Sequence, residues 1–305
     1  MKKIIKIIKV VFGVKMITVG IITEERDWIT SDLENHLIKH GANVKYLKPS
    51  KLIAFSGMDI KIKHGNDHIS NLDCAFVRSL GNDFNIFRFD ILRYLNNYVP
   101  LINPPNSLEI ANNKLLTTMV LDNNKIPHPK TVITEDVDKG IIWTEKFKDC
   151  VIKPLWGNRG KGIIRIKEKP LMYKINILKE FKKKYGALYI QEFIPNPSGI
   201  YRDIRSFVIG DEVVSAMYRV SKSWKTNIHQ NGKPEKCEIT EEIIKLSLNA
   251  KKSVGLIYGA VDIIESSKGL LVLEVNGAPS WEGLSMVSDA NIGNKLAEYI
   301  VNNYG

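Results

Sequence analysis

Apolar and polar positions in the first hundred residues predict short buried strands that alternate with amphipathic helices. The apolar runs predicted to be strands cover residues 16–22, 44–47 and 73–77. The segments with a helical spacing of apolar positions cover residues 28–40 and 84–97. Gly41 is placed to end the first helix, and Arg78, after the third strand, fits a ligand contact or a surface ion pair equally well. Alternating strands and helices favour a parallel sheet, so we expect a small α/β domain.

The pattern breaks at residues 103–106, where two prolines stand between two asparagines. Ser107 is then placed to cap a helix that carries Lys114 and ends before residues 123–127. A hairpin around a glycine-rich loop and a helix at residues 171–185 complete a second, α+β unit. The chain is therefore predicted to divide into three parts, residues 1–106 (with 1–15 as a possible extension), 107–187 and 188–305.

The third part is expected to be a sheet with one long helix. Its strands are predicted at residues 188–194, 201–208, 213–220, 259–264 and 270–276. The period of two places Tyr201, Asp203 and Arg205 on one face of the second of these strands. The helix is predicted at residues 240–254, with Thr240 as its N-cap and acidic residues in its first turn. The polar and basic loop at residues 221–232 is too long for a tight turn, which is typical of a functional loop.

The strongest chemical signal in the second part is a glycine-rich loop between two apolar runs, at residues 150–166. Its glycines, which permit positive φ and let backbone N–H groups approach an anion, are Gly157, Gly160 and Gly162. The basic side chains around the loop are Lys153, Arg159 and Lys161. This composition predicts a hairpin flap over nucleotide phosphates, and a basic hairpin without a ligand fits the loop equally well.

Two well-known phosphate loops are excluded by the spacing of these residues. A Walker A loop needs a lysine followed by serine or threonine at the start of a helix, whereas Lys161 is followed by Gly162 and a strand pattern. The dinucleotide fingerprint Gly-x-Gly-x-x-Gly also differs from the spacing of the three glycines. A flap with a lysine on its incoming strand remains, as in kinases and ATP-grasp enzymes.

Carboxylates inside apolar strands mark a candidate metal site. Asp262 interrupts one apolar strand, and Glu274 and Asn276 lie on the same face of the next because they are two residues apart. An unpaired carboxylate among apolar neighbours is costly, so these groups need a partner. Oxygen donors on adjacent strands suit Mg²⁺, which fills its remaining sites with water and phosphate. We prefer this interpretation to pairing with an arginine or exposure to solvent.

Composition and charge narrow the class of protein. Hydrophobic residues make up 44% and charged residues 25% of the 305, which is ordinary for a globular chain. The net charge of +11 favours anionic partners. Three widely spaced cysteines favour a reducing, cytoplasmic setting, and no apolar run is long enough to span a membrane. Residues 1–15 are interpreted as a basic amphipathic helix or as a segment upstream of a start at Met16.

Taken together, these motifs resemble the ATP-grasp superfamily, and within it the RimK-type glutamate ligases. The resemblance covers about residue 106 to the C-terminus, and the first part is more loosely similar to the family's pre-ATP-grasp α/β domain. It rests on Lys114, Val151 to Pro154, the glycine flap, Gln191 to Ile194, Asp203 to Arg205, Arg219, Lys225 to Asn227, Asp262 and Glu274 to Ser280. The order and spacing of these residues make the match specific.

The resemblance implies a role for each of these positions. Lys114 and Lys153 are expected to hold the phosphates of ATP (or GTP) under the flap. The hinge, Gln191 to Ile194, is expected to contact adenine, with Glu192 as the ribose or adenine partner. The full set implied to bind the nucleotide is Lys114, Lys153, Gly157, Gly160, Lys161, Gly162, Gln191, Glu192, Phe193, Ile194 and Asp203. The residues implied to bind two Mg²⁺ or Mn²⁺ ions are Asp262, Glu274 and Asn276. The residues implied to surround the transferred phosphoryl group are Arg205, Arg219 and Asn227.

The family's reaction phosphorylates an acceptor carboxylate with ATP and then forms an amide with an incoming amine. The resemblance implies L-glutamate as the amine and an anionic coenzyme as the acceptor, with tetrahydromethanopterin first and coenzyme F420 carrying a glutamyl tail second. Ribosomal-protein glutamylation and ligation to a lysine-biosynthesis carrier protein are further alternatives. No nucleic-acid or membrane partner is expected. The oligomeric state is left open, with a homodimer as one expectation.

Two other classes of protein share some of these features. A phosphotransferase would have the same flap and metal ligands but would not depend on an amine. A nucleic-acid-binding protein would explain the positive charge but not Asp262, Glu274 and Asn276 within apolar strands, and its binding would depend steeply on salt. Both are ranked below the ligase.

Overall fold

A computed structural model describes residues 16–59, 61–69, 71–81, 86–157, 160–228 and 232–305 of the chain. The predicted extension at residues 1–15 and the flap residues Asn158 and Arg159 lie outside this range. None of the described helices is long and apolar enough to cross a membrane.

The first described elements form the predicted parallel sheet with helices. They are β1 (Thr18–Ile22), α1 (Trp28–Lys39), β2 (Asn43–Leu47), β3 (Leu52–Ala54), β4 (Ile62–His64), β5 (Asp67–His68), β6 (Cys74–Val77), α2 (Ile86–Leu95) and β7 (Leu101–Ile102). The sheet has the order β2-β1-β6-β7 with parallel pairs, and β3 to β5 form a separate antiparallel sheet. Asp27 caps α1 in a capping box with Thr30, and Gly41 follows the helix at φ 81°.

The predicted helix after residues 103–106 is wrong in two respects. The structure has two helices, α3 (Pro105–Asn112) and α4 (Lys114–Asn123), because Asn113 leaves the helical conformation. The side chain of Asn113 accepts hydrogen bonds from the first backbone N–H groups of α4, so Lys114 becomes the first residue of that helix. Ser107 is not a cap. It is buried within α3 and donates to the carbonyl of Gly255.

The central elements form an antiparallel sheet with helices packed against it. They are β8 (Thr131–Thr134), α5 (Val137–Phe147), β9 (Asp149–Lys153), β10 (Ile164–Lys167), α6 (Leu171–Tyr185) and β11 (Leu188–Glu192). The strand order is β10-β9-β11-β8, so the flap hairpin β9–β10 lies beside the strand that leads to the hinge. The hairpin and α6 were predicted, whereas β8 and α5 were not.

The C-terminal elements form a larger antiparallel sheet. They are β12 (Tyr201–Ile209), β13 (Glu212–Ser221), β14 (Lys233–Lys236), α7 (Glu241–Val254), β15 (Tyr258–Ser266), β16 (Gly269–Asn276), α8 (Glu282–Ser285) and α9 (Ile292–Tyr304). The order is β14-β13-β12-β15-β16. The predicted N-cap of α7 is confirmed, since the Thr240 hydroxyl accepts from the backbone of Ile243.

Apolar cores join these parts more closely than the predicted boundaries imply. One core combines residues of β1 and α1 with residues of β12, α8 and α9, and another joins α3 and α4 to the C-terminal sheet. A third core lies within the central sheet and its helices. The boundaries at residues 106 and 187 stay a prediction, but the helix that carries Lys114 packs against the C-terminal sheet.

Asn103 fastens the first part of the chain to the C-terminal sheet. Its side chain is fully buried, and its Oδ1 accepts from the backbone N–H groups of Ile257 (2.7 Å) and Tyr258 (3.0 Å). Its Nδ2 donates to the carbonyls of Tyr258 (2.8 Å) and Gly277 (2.6 Å). Arg78 makes a second connection, because it pairs with Asp27 and donates to the carbonyl of Ala278.

Replacing Asn103 by alanine is expected to lower the free energy of unfolding by about 3 kcal/mol, because buried backbone groups lose their partners. Urea denaturation of the variant measures this effect. Asn97→Ala, at an exposed position, is the matched control and should change stability by less than about 0.5 kcal/mol. Equal stability of the two variants would contradict the structural role of Asn103.

Candidate active site

The polar face of the C-terminal sheet is built by strand register. In β12, Asp203 and Arg205 point to the same side, as their spacing predicted. Arg205 lies opposite Asp262 of β15, and Asp203 lies opposite Arg219 of β13. Asp262 in turn lies opposite Glu274 of β16. Antiparallel pairing therefore brings residues that are far apart in sequence into one ladder of charges.

The centre of this ladder is a buried ion-pair network. Arg219 donates to both carboxylate oxygens of Asp203, at 2.8 and 2.5 Å, and lies 3.0 Å from Asp262. Arg205 donates to both oxygens of Asp262, at 2.7 and 2.8 Å. Burial alone would raise the pKa of Asp262, but Arg205 and Arg219 hold it down at about 2. Burial opposes the charge of Arg219, yet Asp203 and Asp262 keep its pKa above the usual range.

Two lysines approach the same site from different elements. Lys114, at the start of α4, donates to the carbonyl of Gly157 (3.0 Å) and lies 3.3 Å from Glu274. Lys153, at the end of β9, donates to Oε1 of Gln191 (2.6 Å). Burial lowers the pKa of Lys153 to about 8, against an opposing influence of nearby Glu274. Both lysines therefore lie where an anionic ligand would meet them.

The glycines of the flap have the conformations expected of them. Gly160 and Gly162 have φ values of 69° and 72°, and Gly157 has 145°. A Cβ at Gly162 would stand 2.5 Å from the Tyr185 hydroxyl, so this position also needs glycine for space. The flap base is held to α4 by backbone pairing of Trp156 with Asn113.

The hinge after β11 differs in part from the expectation. Glu192 uses Oε1 to accept a hydrogen bond from the backbone of Lys130 (2.8 Å), so this carboxylate helps to join β8 and β11. Phe193 lies under the guanidinium of Arg165, 3.4 Å from ring centroid to Cζ, and meets the edge of Trp224 at 6.3 Å. Arg165 is itself held by Asp149. The hinge is thus braced by residues that sequence reasoning missed.

A cleft lies between the central and C-terminal sheets, and most predicted site residues line it. Those residues are Lys114, Lys153, Gly157, Gly160, Lys161, Gln191, Glu192, Phe193, Ile194, Asp203, Arg219, Asn227, Asp262 and Glu274. The same cleft has an apolar lining of Val151, Ile163, Ile264 and Leu273, which suits a purine ring. Among the described residues, the other three predicted site residues, Arg205, Gly162 and Asn276, are not part of this lining. Arg205 and Asn276 contact Asp262, which does line the cleft.

The residues predicted to bind metal are adjacent, but Asp262 is paired with Arg205 and Arg219, the alternative that was ranked second from the sequence. Asp262 and Glu274 are cross-strand neighbours, and Asn276 Nδ2 lies 3.4 Å from Asp262 Oδ2. The described part of the chain has no cluster of three histidine, cysteine, aspartate or glutamate side chains that could hold a metal ion. The predicted set has two carboxylates and an amide instead, and such oxygens suit Mg²⁺ completed by water and phosphate. The ammonium of Lys114 against Glu274 also marks this carboxylate as a place for a cation.

Several neighbours of the site had no signal in the sequence. Tyr189 and Thr131 bond Gln191, Thr118 bonds Tyr189, and Arg202, which lines the cleft, pairs with Glu265. Thr131, Thr118 and Glu265 contact partners 60 or more residues away, whereas Tyr189 and Gln191 are two residues apart on β11. Strand periodicity places Tyr189 and Gln191 on one face of β11, but only the pairing of distant elements reveals the other contacts.

Comparison with known proteins agrees with this architecture. Residues 111–300 match the family of RimK-like ATP-grasp domains. A tetrahydromethanopterin:α-L-glutamate ligase of Methanococcus maripaludis is 51% identical over 284 residues, which cover 93% of this chain and 97% of that protein. The protein of the same name from Methanocaldococcus jannaschii is also 51% identical, over 92% of this chain and 97% of its own. An α-aminoadipate–LysW ligase of Saccharolobus solfataricus is 32% identical over 87% of this chain and 95% of its own.

Solved structures give the same fold at low sequence identity. The ATP-grasp ligase PsnB, complexed with a minimal precursor, Mg and ADP, superposes with a TM-score of 0.72 at 19% identity, over 93% of this chain and 97% of that one. The macrocyclase MdnC of Microcystis aeruginosa, bound with its precursor peptide MdnA, has a TM-score of 0.72 at 17% identity, over 94% and 100%. With the family match covering more than half of the chain, this protein belongs to the RimK-like ATP-grasp family.

Proposed function

We propose that this protein is an ATP-dependent ligase that joins L-glutamate to tetrahydromethanopterin through an amide bond. The observation that carries the proposal is 51% identity, over nearly the full length of both chains, to two proteins named for this reaction. The 32% identity to the α-aminoadipate–LysW ligase supports the general chemistry but favours a carrier-protein acceptor less. Three free cysteines are compatible with action in the cytoplasm.

The cleft has the charges that such a reaction needs. Lys114 and Lys153 are proposed to bind the phosphates of ATP, with the flap above them. Arg219 and Asn227, which line the cleft, are proposed to face the transferred phosphoryl group, and Arg205 supports Arg219 through Asp262. Preorganised cations aimed at developing negative charge are a large source of rate enhancement.

The proposed site for Mg²⁺ comprises Asp262, Glu274 and Asn276. When bound there, Mg²⁺ would neutralise charge on the phosphates of the nucleotide. Mn²⁺ in place of Mg²⁺, and GTP in place of ATP, are alternatives that direct substitution in the assay would test.

The proposed reaction balances in two steps. An acceptor carboxylate oxygen attacks the γ-phosphorus of ATP, the bond to the bridging oxygen breaks, and ADP leaves. The neutral amine of L-glutamate then attacks the carbonyl carbon of the acyl phosphate, phosphate leaves with the former carboxylate oxygen, and the amine loses a proton. Closure of the cleft would keep water from the acyl phosphate. The chemistry requires no nucleophilic side chain.

The proposal predicts a pH dependence of nucleotide binding. Because burial places the pKa of Lys153 at about 8, the ammonium is charged below that pH and loses its proton above it. Affinity for ADP is therefore expected to fall as pH rises, by up to about tenfold per pH unit above pH 8. Lys153→Arg keeps its charge throughout this range, so its affinity should stay level. Calorimetric titration with ADP below and above pH 8 measures the affinity of the wild type and of Lys153→Arg. An equal decline in the arginine variant would contradict the role of Lys153 in binding the phosphates.

Mass spectrometry of products tests the acceptor. Each reaction contains the protein, ATP, Mg²⁺, L-glutamate and one acceptor. The acceptors are tetrahydromethanopterin, coenzyme F420 carrying a glutamyl tail and a lysine-biosynthesis carrier protein. The proposal expects one glutamyl addition on tetrahydromethanopterin with matching release of ADP. Addition on another acceptor alone would move the proposal to that substrate. ADP release that does not require glutamate would favour a phosphotransferase.

A further inference from the structure

Behind the two lysines, a chain of buried hydrogen bonds joins α4 to the flap strand β9. The Lys153 ammonium donates to Gln191 Oε1 (2.6 Å), and Gln191 Nε2 donates to the Tyr189 hydroxyl (3.1 Å) and to Thr131 Oγ1 (3.0 Å). The Tyr189 hydroxyl also bonds Thr118 Oγ1 at 2.8 Å. Tyr189 and Gln191 are 2% and 3% exposed, so water does not compete for these groups.

The hydrogen-bond partners of Gln191 determine which end of its amide faces Lys153. The Thr131 hydroxyl donates its single hydrogen to the carbonyl of Pro129 (2.9 Å), so it faces Gln191 as an acceptor. An acceptor at this place requires the NH₂ end of Gln191, which turns the carbonyl oxygen toward Lys153. The Tyr189 hydroxyl can donate or accept, and when it accepts from Gln191 its own hydrogen is available for Thr118.

The network therefore sets where the charge of Lys153 lies. An amide turned the other way would present its NH₂ group to an ammonium that has no acceptor capacity. Thr118 stands one helical turn after Lys114 on α4, so the bond between Thr118 and Tyr189 also ties the helix of one lysine to the support of the other. A small cavity lined by Lys114, Thr118, Tyr189, Gln191 and Glu274 marks this junction.

We propose that Tyr189 is a positioning residue, which acts through Gln191 to hold the Lys153 ammonium in place for the phosphates of the nucleotide. The inference rests on the proposed function only in requiring a nucleotide at Lys153. It needs neither glutamate nor a particular acceptor, so ADP affinity tests it independently of the ligase reaction.

A double-mutant cycle separates positioning from simple structural support. Calorimetric titration with ADP and Mg²⁺ is expected to give about fivefold to tenfold weaker binding for Tyr189→Phe, the loss of one buried hydrogen bond. Gln191→Ala should weaken binding at least as much. Tyr189→Phe/Gln191→Ala should match Gln191→Ala within about twofold, because Tyr189 acts through Gln191. Thr131→Val is a second route to the same loss of orientation.

The matched control is Tyr258→Phe. Tyr258 is also a buried tyrosine, and within the described residues its hydroxyl has no hydrogen-bond partner. This variant should bind ADP within about twofold of the wild type. In steady-state assays, Tyr189→Phe should raise the KM for ATP and leave the KM for glutamate unchanged. Unaltered ADP affinity in Tyr189→Phe would overturn the proposal. It would also be overturned if Tyr189→Phe weakened ADP binding as much in the Gln191→Ala background as in the wild type.

Discussion

Glu274→Gln is expected to lower kcat by at least about a hundredfold at saturating Mg²⁺. Glu274 faces the cleft on β16, opposite Asp262, and already holds the ammonium of Lys114 at 3.3 Å. The amide removes one negative charge from the proposed metal site and leaves its shape unchanged. Measured turnover, with Mg²⁺ titrated over a wide range, tests the assignment.

The control for this variant is Glu145→Gln. Glu145 also pairs with a lysine, Lys174, at 2.7 Å, but this pair joins α5 to α6 and does not line the cleft. Its loss should leave kcat within about twofold of the wild type. Turnover in Glu274→Gln equal to that of Glu145→Gln would remove Glu274 from the metal site.

Arg219→Met is expected to lower the free energy of unfolding by about 3–5 kcal/mol. The reason is that Asp203 and Asp262 remain buried but lose the arginine that pairs with both of them. Arg219 is 2% exposed and bonds both carboxylates. A loss of this size should lower the melting temperature by about 10 °C. Calorimetric melting measures it, and turnover should fall as well, because Arg219 lines the cleft.

Two further variants show whether the loss comes from uncompensated charge. Adding Asp203→Asn to Arg219→Met removes one of the buried charges and should restore part of the melting temperature. Arg202→Met breaks a pair with Glu265 in which both side chains are about a quarter exposed, so it should cost about 1 kcal/mol or less. A melting temperature of Arg219→Met equal to that of Arg202→Met would contradict the structural importance of the buried network.

Periodicity in the sequence predicted the long strands of all three parts and the helices α1, α2, α6 and α7. The elements that it did not predict are β3, β4, β5, β7, β8, β14, α5, α8 and α9. The alternation around Asp203 and Arg205 predicted their common face, and the apolar run around Asp262 predicted a buried strand. Both follow from local geometry, because the side-chain direction in a strand repeats every two residues. The predicted helix across Asn113 failed because an asparagine inside an apolar pattern served as a cap, which separates Lys114 from the preceding helix.

The partners of the site residues could not be predicted in the same way. The sequence allowed either a metal ion or an arginine as the partner of Asp262, and the structure places Arg205 and Arg219 against it. Gln191 was expected to belong to an adenine-binding hinge, which stays a prediction, and its side-chain bond from Lys153 had no signal in the sequence. These contacts depend on which strands pair and in what register, and those are long-range choices that no single segment encodes.

In the proposed reaction, the cleft activates a carboxylate of tetrahydromethanopterin as an acyl phosphate for attack by glutamate. The most direct measurement uses tetrahydromethanopterin whose carboxylates carry a heavy oxygen isotope, with ATP, Mg²⁺ and L-glutamate, and follows both products by mass spectrometry. We expect the glutamylated coenzyme together with phosphate that carries one heavy oxygen from the acceptor. Unlabelled phosphate, or ADP formation without a glutamylated product, would contradict the account.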